Sequence, residues 1–247
     1  MSVESPADLA GLRVVGRAVA RILDEMEAAL APGMTTAALD AVAAAAMRRL
    51  GVRSAPQQTY GFPGAACISV NDEIVHGVPG ARRLRHGDVV KIDVTAEAAG
   101  YVADAARTVI AGRPSAAAAR LRTSAVRALH GALEAARAGA RLSAIGRAVE
   151  QQARRDGFTV VRELCGHGVG RAIHEPPQVL NYEDPASTAV LAAGLVLAIE
   201  PMLSSRRARP VQRADGWTLA THNGALAAHE ELTVMIRDGA PLVITAA

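Results

Sequence analysis

Gly87-Asp88-Val89-Val90-Lys91-Ile92-Asp93-Val94-Thr95 and, a few residues later, Tyr101-Val102-Ala103-Asp104 are the most strand-like stretches of this sequence. Ala99-Gly100 between them supplies a turn, so the pattern predicts an antiparallel hairpin. Such a hairpin would bring Asp93 and Asp104 to the same end of a sheet. A carboxylate is costly to bury in an apolar strand without a partner. That partner is either the nearby Arg107 or a metal ion, and the hairpin alone leaves both open.

The second half of the sequence repeats this arrangement with glutamates. Glu200 ends one apolar run, a predicted strand, and Glu231 opens another. A histidine beside glycine precedes each carboxylate pair, His76 in the first half and His167 in the second. The order His–Asp–Asp and then His–Glu–Glu predicts a site with pseudo-two-fold symmetry.

Four carboxylates and one imidazole suit two divalent cations. Ligands rich in carboxylate with one nitrogen favour Mn²⁺, Fe²⁺ or Co²⁺ and do not exclude Zn²⁺, whereas a cysteine-rich zinc site is excluded. Two such ions lower the pKa of a bridging water and polarise a carbonyl, which is hydrolytic chemistry. His174, seven residues after His167, can face the same cavity.

Helical and strand-like segments alternate along the rest of the chain. The predicted helices cover residues 9–26, the stretch from Thr35 and Thr36 to Gly51, residues 114–138 and residues 142–156. The predicted strands are Ala66–Val70, Asp88–Thr95, Tyr101–Ala111, Phe158–Leu164, Leu195–Ile199 and Leu232–Ile236. The order helices, strands, helices, strands predicts one α+β domain whose two similar halves share a mostly antiparallel sheet.

The composition is that of a soluble globular protein, with 247 residues, 50% hydrophobic, 21% charged and two cysteines. It excludes a disordered chain and a disulfide scaffold. No apolar run reaches the roughly 20 residues of a membrane span. The acidic start lacks the basic-then-apolar order of a signal peptide, so we expect a cytoplasmic protein.

The basic residues give little support for nucleic-acid binding. Only Lys91 of 27 basic residues is a lysine, which we interpret as codon bias in a GC-rich genome. The net charge is only +3, and the arginines at 82–85 and 206–213 are predicted to lie in solvated loops. With 2% aromatic residues, a base-stacking platform is hard to build.

The remaining histidines and the two cysteines are assigned no chemistry from the residues alone. His86, His130, His222 and His229 are expected to be ordinary surface or locally hydrogen-bonded side chains. Cys67 is expected to be a packed thiol and Cys165 to lie beside the cavity. A cysteine–histidine protease would need a third orienting residue, which the sequence does not supply.

Five segments follow one another in a specific order: Cys67–Pro79, Gly87–Thr95, Gly166–Arg171, His174–Leu180 and Ile199–Met202. Together they resemble the motifs of type I methionine aminopeptidases, members of the M24 pita-bread metallopeptidases, over about residues 10–245. The resemblance implies a pseudo-two-fold pita-bread (creatinase/aminopeptidase) fold, an antiparallel sheet flanked by helices. It also implies a single catalytic domain over residues 1–247, without an N-terminal extension domain.

The resemblance further implies which residues hold two divalent ions, with Co, Mn, Fe or Zn as candidates. The implied ligands are Asp93, Asp104, His167, Glu200 and Glu231. Glu231 is chosen over its neighbour Glu230 because the segment Asp215–Thr218 then stands at the family's distance from the last ligand. Thr233 also falls into register with that choice.

By the same resemblance, the chain removes the initiator methionine from nascent proteins and peptides with a small second residue. A metal-bridging hydroxide would attack the scissile carbonyl while Glu200 takes and returns the proton. His174 would hydrogen-bond the carbonyl oxygen, and His76 would contact the scissile amide nitrogen. His76, His174, Phe62, Cys67 and Trp217 are the implied substrate-binding residues.

Three residues differ from the family pattern, so the resemblance does not determine how wide the pocket for the substrate side chain is. Ile173 and Glu230 stand where the family usually has aromatic residues, and Leu232 stands where it usually has histidine.

The alternatives to this function are an aminopeptidase of the same fold with altered specificity, such as Xaa-Pro, and a non-catalytic member that binds peptides or the ribosome. We expect a monomer acting on nascent polypeptide N-termini, without a membrane partner; transient ribosome contact stays open.

Overall fold

The computed structural model describes residues 1–246. Over these residues the helices are α1 (Pro6–Ala29), α2 (Thr36–Leu50), α3 (Ala55–Tyr60), α4 (Ala116–Ala135) and α5 (Ser143–Arg155). The strands of the first half are β1 (Arg53–Ser54), β2 (Cys67–Val70), β3 (Glu73–Val75), β4 (Val89–Ala98) and β5 (Tyr101–Ile110). Those of the second half are β6 (Thr159–Val160), β7 (Cys165–Gly168), β8 (Glu175–Leu180), β9 (Val196–Ile199), β10 (Met202–Ser204), β11 (Pro210–Gln212), β12 (Leu219–Thr221), β13 (Ala227–His229), β14 (Glu231–Met235) and β15 (Leu242–Val243).

The predicted hairpin is formed by β4 and β5, which pair antiparallel along their whole length from Val89↔Ile110 to Ala98↔Tyr101. Its two-residue turn has positive φ at both positions, 51° at Ala99 and 79° at Gly100. This is the geometry of a type I′ turn, whose twist matches that of the flanking strands. The hairpin and its turn are therefore confirmed.

One sheet of nine strands joins the two halves of the chain. Seven strands lie in the order β1-β4-β5-β14-β9-β7-β8, while β2 pairs with β4 and β15 pairs with β14. Two further sheets of three strands, β13-β10-β6 and β11-β12-β3, pack around it. Every named strand pair is antiparallel. The predicted α+β class with an antiparallel sheet flanked by helices is confirmed.

Each half has its own apolar core between helices and sheet. In the first half, Val19 and Leu23 of α1 belong to the same buried cluster as Ile92 of β4. In the second half, Leu121 of α4 belongs to a buried cluster with Leu197 of β9. Each half therefore has a buried cluster of its own, and the similarity of the two halves stays a prediction.

The predicted helix ends are close to the observed ones because their capping groups are local. The Thr35 side chain accepts a hydrogen bond from the amide of Ala38, and Gly51 ends α2 in the left-handed conformation with φ 68°. The predicted strand Phe158–Leu164 is mostly wrong, since only Thr159–Val160 pairs. A turn begins right after it, where the Leu164 amide donates to the Val161 carbonyl.

No helix within residues 1–246 is long and apolar enough to cross a membrane.

Candidate active site

The predicted ligands lie on neighbouring strands of the large sheet, and the strand register puts them on one face. Asp93 is opposite Ala106, and Ala106 is opposite Glu231. Directly opposite residues of antiparallel strands point to the same face. Glu200 directly follows β9, the strand that pairs with β14 on its other side.

Asp93, Ala106 and Glu231 form a first row across the sheet. A second row of residues crosses the same face two positions farther along the strands. Asp104 lies two residues before Ala106, and Thr233 lies two residues after Glu231, so both share the face of the first row. Ala198 is opposite Thr233 and also opposite His167. The two rows together bring the carboxylates and the imidazole to one place.

Ligand atoms of Asp104, His167 and Glu231 all lie within 4.8 Å of one another. Glu200 Oε1 is 3.3 Å from His167 Nε2. Asp104 Oδ1 and Glu231 Oε1 are buried and have no hydrogen-bond partner within residues 1–246. Buried acceptors without donors are rare in folded proteins, and a divalent cation would satisfy them. The donor set, mostly carboxylate with one imidazole nitrogen, therefore fits a divalent metal.

Burial and mutual repulsion disfavour the charged forms of these carboxylates. Burial, and then the Asp104 carboxylate, raise the pKa of Glu200 to about 8, against a lowering effect of His167. Burial also raises the pKa of Asp93 and of Glu231 well above the ordinary value, with the neighbouring carboxylates adding to it. A bound cation would offset this repulsion and favour the charged carboxylates. The raised pKa values and the oxygens without hydrogen-bond partners therefore both indicate a cation site.

His167 is held in one orientation by its own strand. Its Nδ1 lies 2.9 Å from the Gly168 carbonyl oxygen, which can only accept, so Nδ1 donates and Nε2 faces Glu200. A Cβ at Gly168 would lie 2.3 Å from the Pro176 carbonyl oxygen. Glycine is required there because β7 is closely enclosed by its neighbours.

Thr233 fixes the backbone beneath the carboxylates. Its Oγ1 donates to the Asp104 carbonyl oxygen at 2.8 Å and accepts from the Asp104 amide at 2.9 Å. Both partners are buried. These two hydrogen bonds hold Asp104 at its position in the second row.

A cavity of about 260 Å³ opens onto this face of the sheet. The predicted site residues that line it are His76, Asp93, Asp104, His167, His174, Glu200 and Glu231, together with Phe62, Cys67 and Trp217. The rings of Phe62 and Trp217 meet edge to face with centroids 5.3 Å apart. The cavity thus combines a cluster of acidic residues with an aromatic wall.

The two remaining predicted histidines stand on the cavity walls. His76 has a positive φ of 57°, and its carbonyl oxygen lies 3.4 Å from the Thr218 hydroxyl, which donates to the Asp215 carboxylate at 2.6 Å. The protein around it lowers the pKa of His76 to about 4, first through desolvation and then through neighbouring histidines. Desolvation and His167 likewise lower the pKa of His174 to about 4. Both imidazoles are therefore neutral at pH 7.

Residues 10–242 match the model of a known family, Metallopeptidase family M24. The chain belongs to metallopeptidase family M24.

Relatives of this M24 chain match it from end to end. A methionine aminopeptidase 2 of Bacillus subtilis is 40% identical over 247 residues, covering 99% of each chain. A methionine aminopeptidase of Escherichia coli K12 is 35% identical, covering 99% of this chain and 94% of the relative. The crystal structure of a methionine aminopeptidase from Thermotoga maritima superposes with a TM-score of 0.96 at 34% identity, covering 100% of both chains.

More distant structures show how widely the fold is shared. A prolidase from Pyrococcus furiosus has a TM-score of 0.79 at 20% identity, and the M24 chain covers 65% of it. At that identity the likeness concerns the fold alone. With the Thermotoga structure, it confirms the predicted pita-bread fold.

One histidine of the M24 chain was predicted wrongly. His229 is not an ordinary surface or locally bonded residue, because only 2% of it is exposed and neither ring nitrogen has a hydrogen-bond partner within residues 1–246. Its Nε2 lies 3.4 Å from Glu200 Oε2 and 3.7 Å from Glu231 Oε2. Its spacing of two residues from Glu231 was the available signal, since such residues share a face in extended chain. The other three, His86, His130 and His222, are exposed as predicted.

Arg107 does not pair with the aspartates of the hairpin. Its guanidinium donates to Asp24 at 2.7 Å and to Glu27 at 3.1 Å, both on α1. It lies next to Ala106 on β5, and adjacent strand residues point to opposite faces. Of the two partners left open for the aspartates, the structure excludes Arg107.

Glu230 and Leu232 flank Glu231 and do not line the cavity. The Glu230 carboxylate accepts a hydrogen bond from the Thr108 amide at 3.1 Å, and burial raises its pKa to about 8. Of the three departures from the family pattern, only Ile173 lines the cavity. Cys67 is buried and Cys165 half-buried at the cavity, as expected.

Proposed function

We propose that this M24 chain is a methionine aminopeptidase that removes N-terminal methionine from peptides with a small second residue. The names of its full-length relatives in Bacillus subtilis and Escherichia coli support this activity. The observation that carries the proposal is the cavity itself, in which an acidic cluster and an apolar wall meet.

Two divalent ions would be held by Asp93, Asp104, His167, Glu200 and Glu231. When bound, such ions lower the pKa of water to near neutrality and polarise a carbonyl group. Asp104 Oδ1 and Glu231 Oε1, which are buried and find no hydrogen-bond partner in the part of the chain that the structure describes, support this ligand set.

The side chains of the cavity have separate roles in the proposed reaction. Glu200 takes a proton from the attacking water and returns it to the leaving amine. His174, neutral at pH 7, donates a hydrogen bond to the substrate carbonyl oxygen as negative charge develops there. His76 contacts the scissile amide nitrogen.

The methionine side chain would lie against Phe62, Cys67 and Trp217. A thioether makes favourable contacts with the edges and faces of aromatic rings, which the edge-to-face pair of Phe62 and Trp217 offers. Ile173, aliphatic and buried at the cavity, adds apolar surface without a polar group.

The experiment is a peptide panel with protein loaded separately with Co²⁺, Mn²⁺, Fe²⁺ or Zn²⁺. We expect free methionine from Met-Gly-Met-Met and none from the same protein carrying Asp104→Asn. Release of the first residue only from peptides with proline second would favour the altered specificity. No release under any metal, with a native circular dichroism spectrum, would favour a non-catalytic member of the family.

We further infer that residues 1–247 act as one catalytic domain and as a monomer, on nascent polypeptides in the cytoplasm. The two halves share one sheet, which supports a single unit. Size-exclusion chromatography with light scattering tests the monomer, since a mass of twice 25.5 kDa would contradict it.

A further inference from the structure

Tyr60 makes a contact at the cavity that the proposed reaction has not used. Its hydroxyl lies 2.8 Å from Nδ1 of His174, a residue 114 positions away in the sequence. Within residues 1–246 it is the only hydrogen-bond partner of the His174 side chain. The two rings are tilted at 31° with centroids 5.9 Å apart.

The local fold directs Tyr60 to this point. It is the last residue of α3, and Gly61 ends the helix in the left-handed conformation with φ 70°. The Gly61 amide donates to the Gln57 carbonyl at 3.2 Å, and the next residue, Phe62, turns inward. Glycine makes this reversal without strain, so Tyr60 stays at the mouth of the cavity while Phe62 enters the wall.

Hydrogen bonding at Nδ1 decides which nitrogen of a neutral imidazole carries the proton. A tyrosine hydroxyl can donate to Nδ1 or accept from an Nδ1–H, so the contact is compatible with either tautomer of the ring. A hydroxyl that donates to Nδ1 uses the lone pair of that nitrogen, so the ring proton resides on Nε2. The nitrogen left free to meet a substrate then bears a hydrogen.

We propose that Tyr60 is a positioning residue that holds His174 in the Nε2–H tautomer, so that His174 donates a hydrogen bond to the substrate carbonyl oxygen. The inference rests on the proposed function and deepens it. The His167 ring also lies against His174, with centroids 4.4 Å apart. Without the Tyr60 hydroxyl, the exposed imidazole would adopt both tautomers, and only one of them is a donor at Nε2.

The test removes one oxygen atom, by Tyr60→Phe, and uses Tyr182→Phe as the matched control. Tyr182 packs under Arg162, 3.6 Å from the ring centroid, and does not line the cavity. Proteins labelled with ¹⁵N-histidine and loaded with Zn²⁺ are compared at pH 8 by ¹H–¹⁵N spectra, which distinguish the two tautomers. The His174 signals are assigned with His174→Gln. In parallel, kcat and KM are measured for Met-Gly-Met-Met.

We expect His174 of the unchanged protein in the Nε2–H form and a mixture of tautomers in Tyr60→Phe. In that variant kcat is expected to fall by about 10- to 100-fold, the range found when the hydrogen-bond partner of a metal-ligating residue is removed, with KM within about twofold. Tyr182→Phe should change neither readout.

Two results would overturn the inference: an Nδ1–H tautomer in the unchanged protein, or an unchanged spectrum and kcat in Tyr60→Phe. Because Tyr60 is 47% exposed, the variant is expected to fold normally, and circular dichroism checks this. The spectra report on the tautomer whether or not methionine is released. Failure of the proposed function and failure of the inference are therefore distinguishable.

Discussion

The adjacent residues Glu230 and Glu231 offer a matched test of the metal site. Among the described residues, Glu231 Oε1 is buried without a hydrogen-bond partner, in a cluster that offers ligand atoms within 4.8 Å of one another. The Glu230 carboxylate accepts a hydrogen bond from the Thr108 amide at 3.1 Å and does not line the cavity. We expect Glu231→Gln to lose metal binding and Glu230→Gln to keep it.

The size of the effect follows from linkage between binding and folding. An ion present at 100 times its Kd stabilises the folded state by about 2.7 kcal/mol, and each kcal/mol raises Tm by about 2–4 °C in a protein of this size. Metal should therefore raise Tm by roughly 5–11 °C. If Glu231→Gln weakens binding about 100-fold, the same ion concentration contributes only about 0.4 kcal/mol, or roughly 1–2 °C.

The metal-free proteins provide the control against simple misfolding. Burial and neighbouring carboxylates raise the pKa of Glu231, so its charge opposes folding when no cation is present. A neutral glutamine removes that charge, and metal-free Glu231→Gln should melt no lower than the metal-free parent. Loss of the metal response then reports on binding rather than on damage.

The assay is thermal melting after EDTA treatment and then during a Mn²⁺ titration, for the parent and the two variants. A full metal-induced shift in Glu231→Gln, or its loss in Glu230→Gln alone, would refute the assignment of the ligand. Equal loss of the metal-induced Tm shift in both variants would show that Glu230 and Glu231 do not differ in metal binding, although they point to opposite faces of the strand.

Three further outcomes test other parts of the site. His229→Leu is expected to lower Mn²⁺ affinity by about 10-fold, measured by calorimetry, because its imidazole lies beside two ligands; an unchanged Kd would contradict this. Thr233→Val should lower the free energy of unfolding by about 1–3 kcal/mol in urea, since two buried hydrogen bonds to Asp104 are lost; an unchanged urea midpoint would contradict it. His76, whose pKa is lowered to about 4, should show no NMR titration near pH 6.5. Its folded form binds the proton more weakly than the unfolded chain, so its contribution to stability is lost as pH falls from about 6.5 towards 4.

The sequence predicts those features whose signal is local. The type I′ turn at Ala99–Gly100 and the cap at Thr35 depend on neighbouring residues, and both are found in place. The predicted site residues reach one cavity because strand alternation and hairpin pairing are regular. The contact between Tyr60 and His174 had no such signal, since it joins residues 114 positions apart. His229 did carry a local signal, its spacing of two residues from Glu231, but its burial depends on strands packed around it, which its own segment does not specify.

Lys91 shows where codon bias stops explaining the basic residues. It is the one lysine among 27 basic residues, and it is fully buried in β4, whereas the arginines at 206, 207 and 209 are exposed. Its Nζ donates to the Asn71 carbonyl at 2.9 Å and to the Val89 carbonyl at 3.3 Å. Lys91 makes these two hydrogen bonds among the described residues, whereas a guanidinium would bring five N–H donors, and each buried donor left unpaired costs about 1–3 kcal/mol.

On the surface, arginine and lysine are both solvated and can replace each other, but burial lowers the pKa of Lys91 to about 7, and a lysine can lose its proton at such a position whereas an arginine cannot. The Asn71 carbonyl also accepts a hydrogen bond from the Ala227 amide. Lys91 and the Ala227 amide therefore donate to the same carbonyl, in the turn before β3, and Ala227 opens β13, the strand that ends at His229. Lys91 lies in β4 of the first half and Ala227 in β13 of the second, so this shared carbonyl lies where the two halves meet, which composition alone cannot reveal.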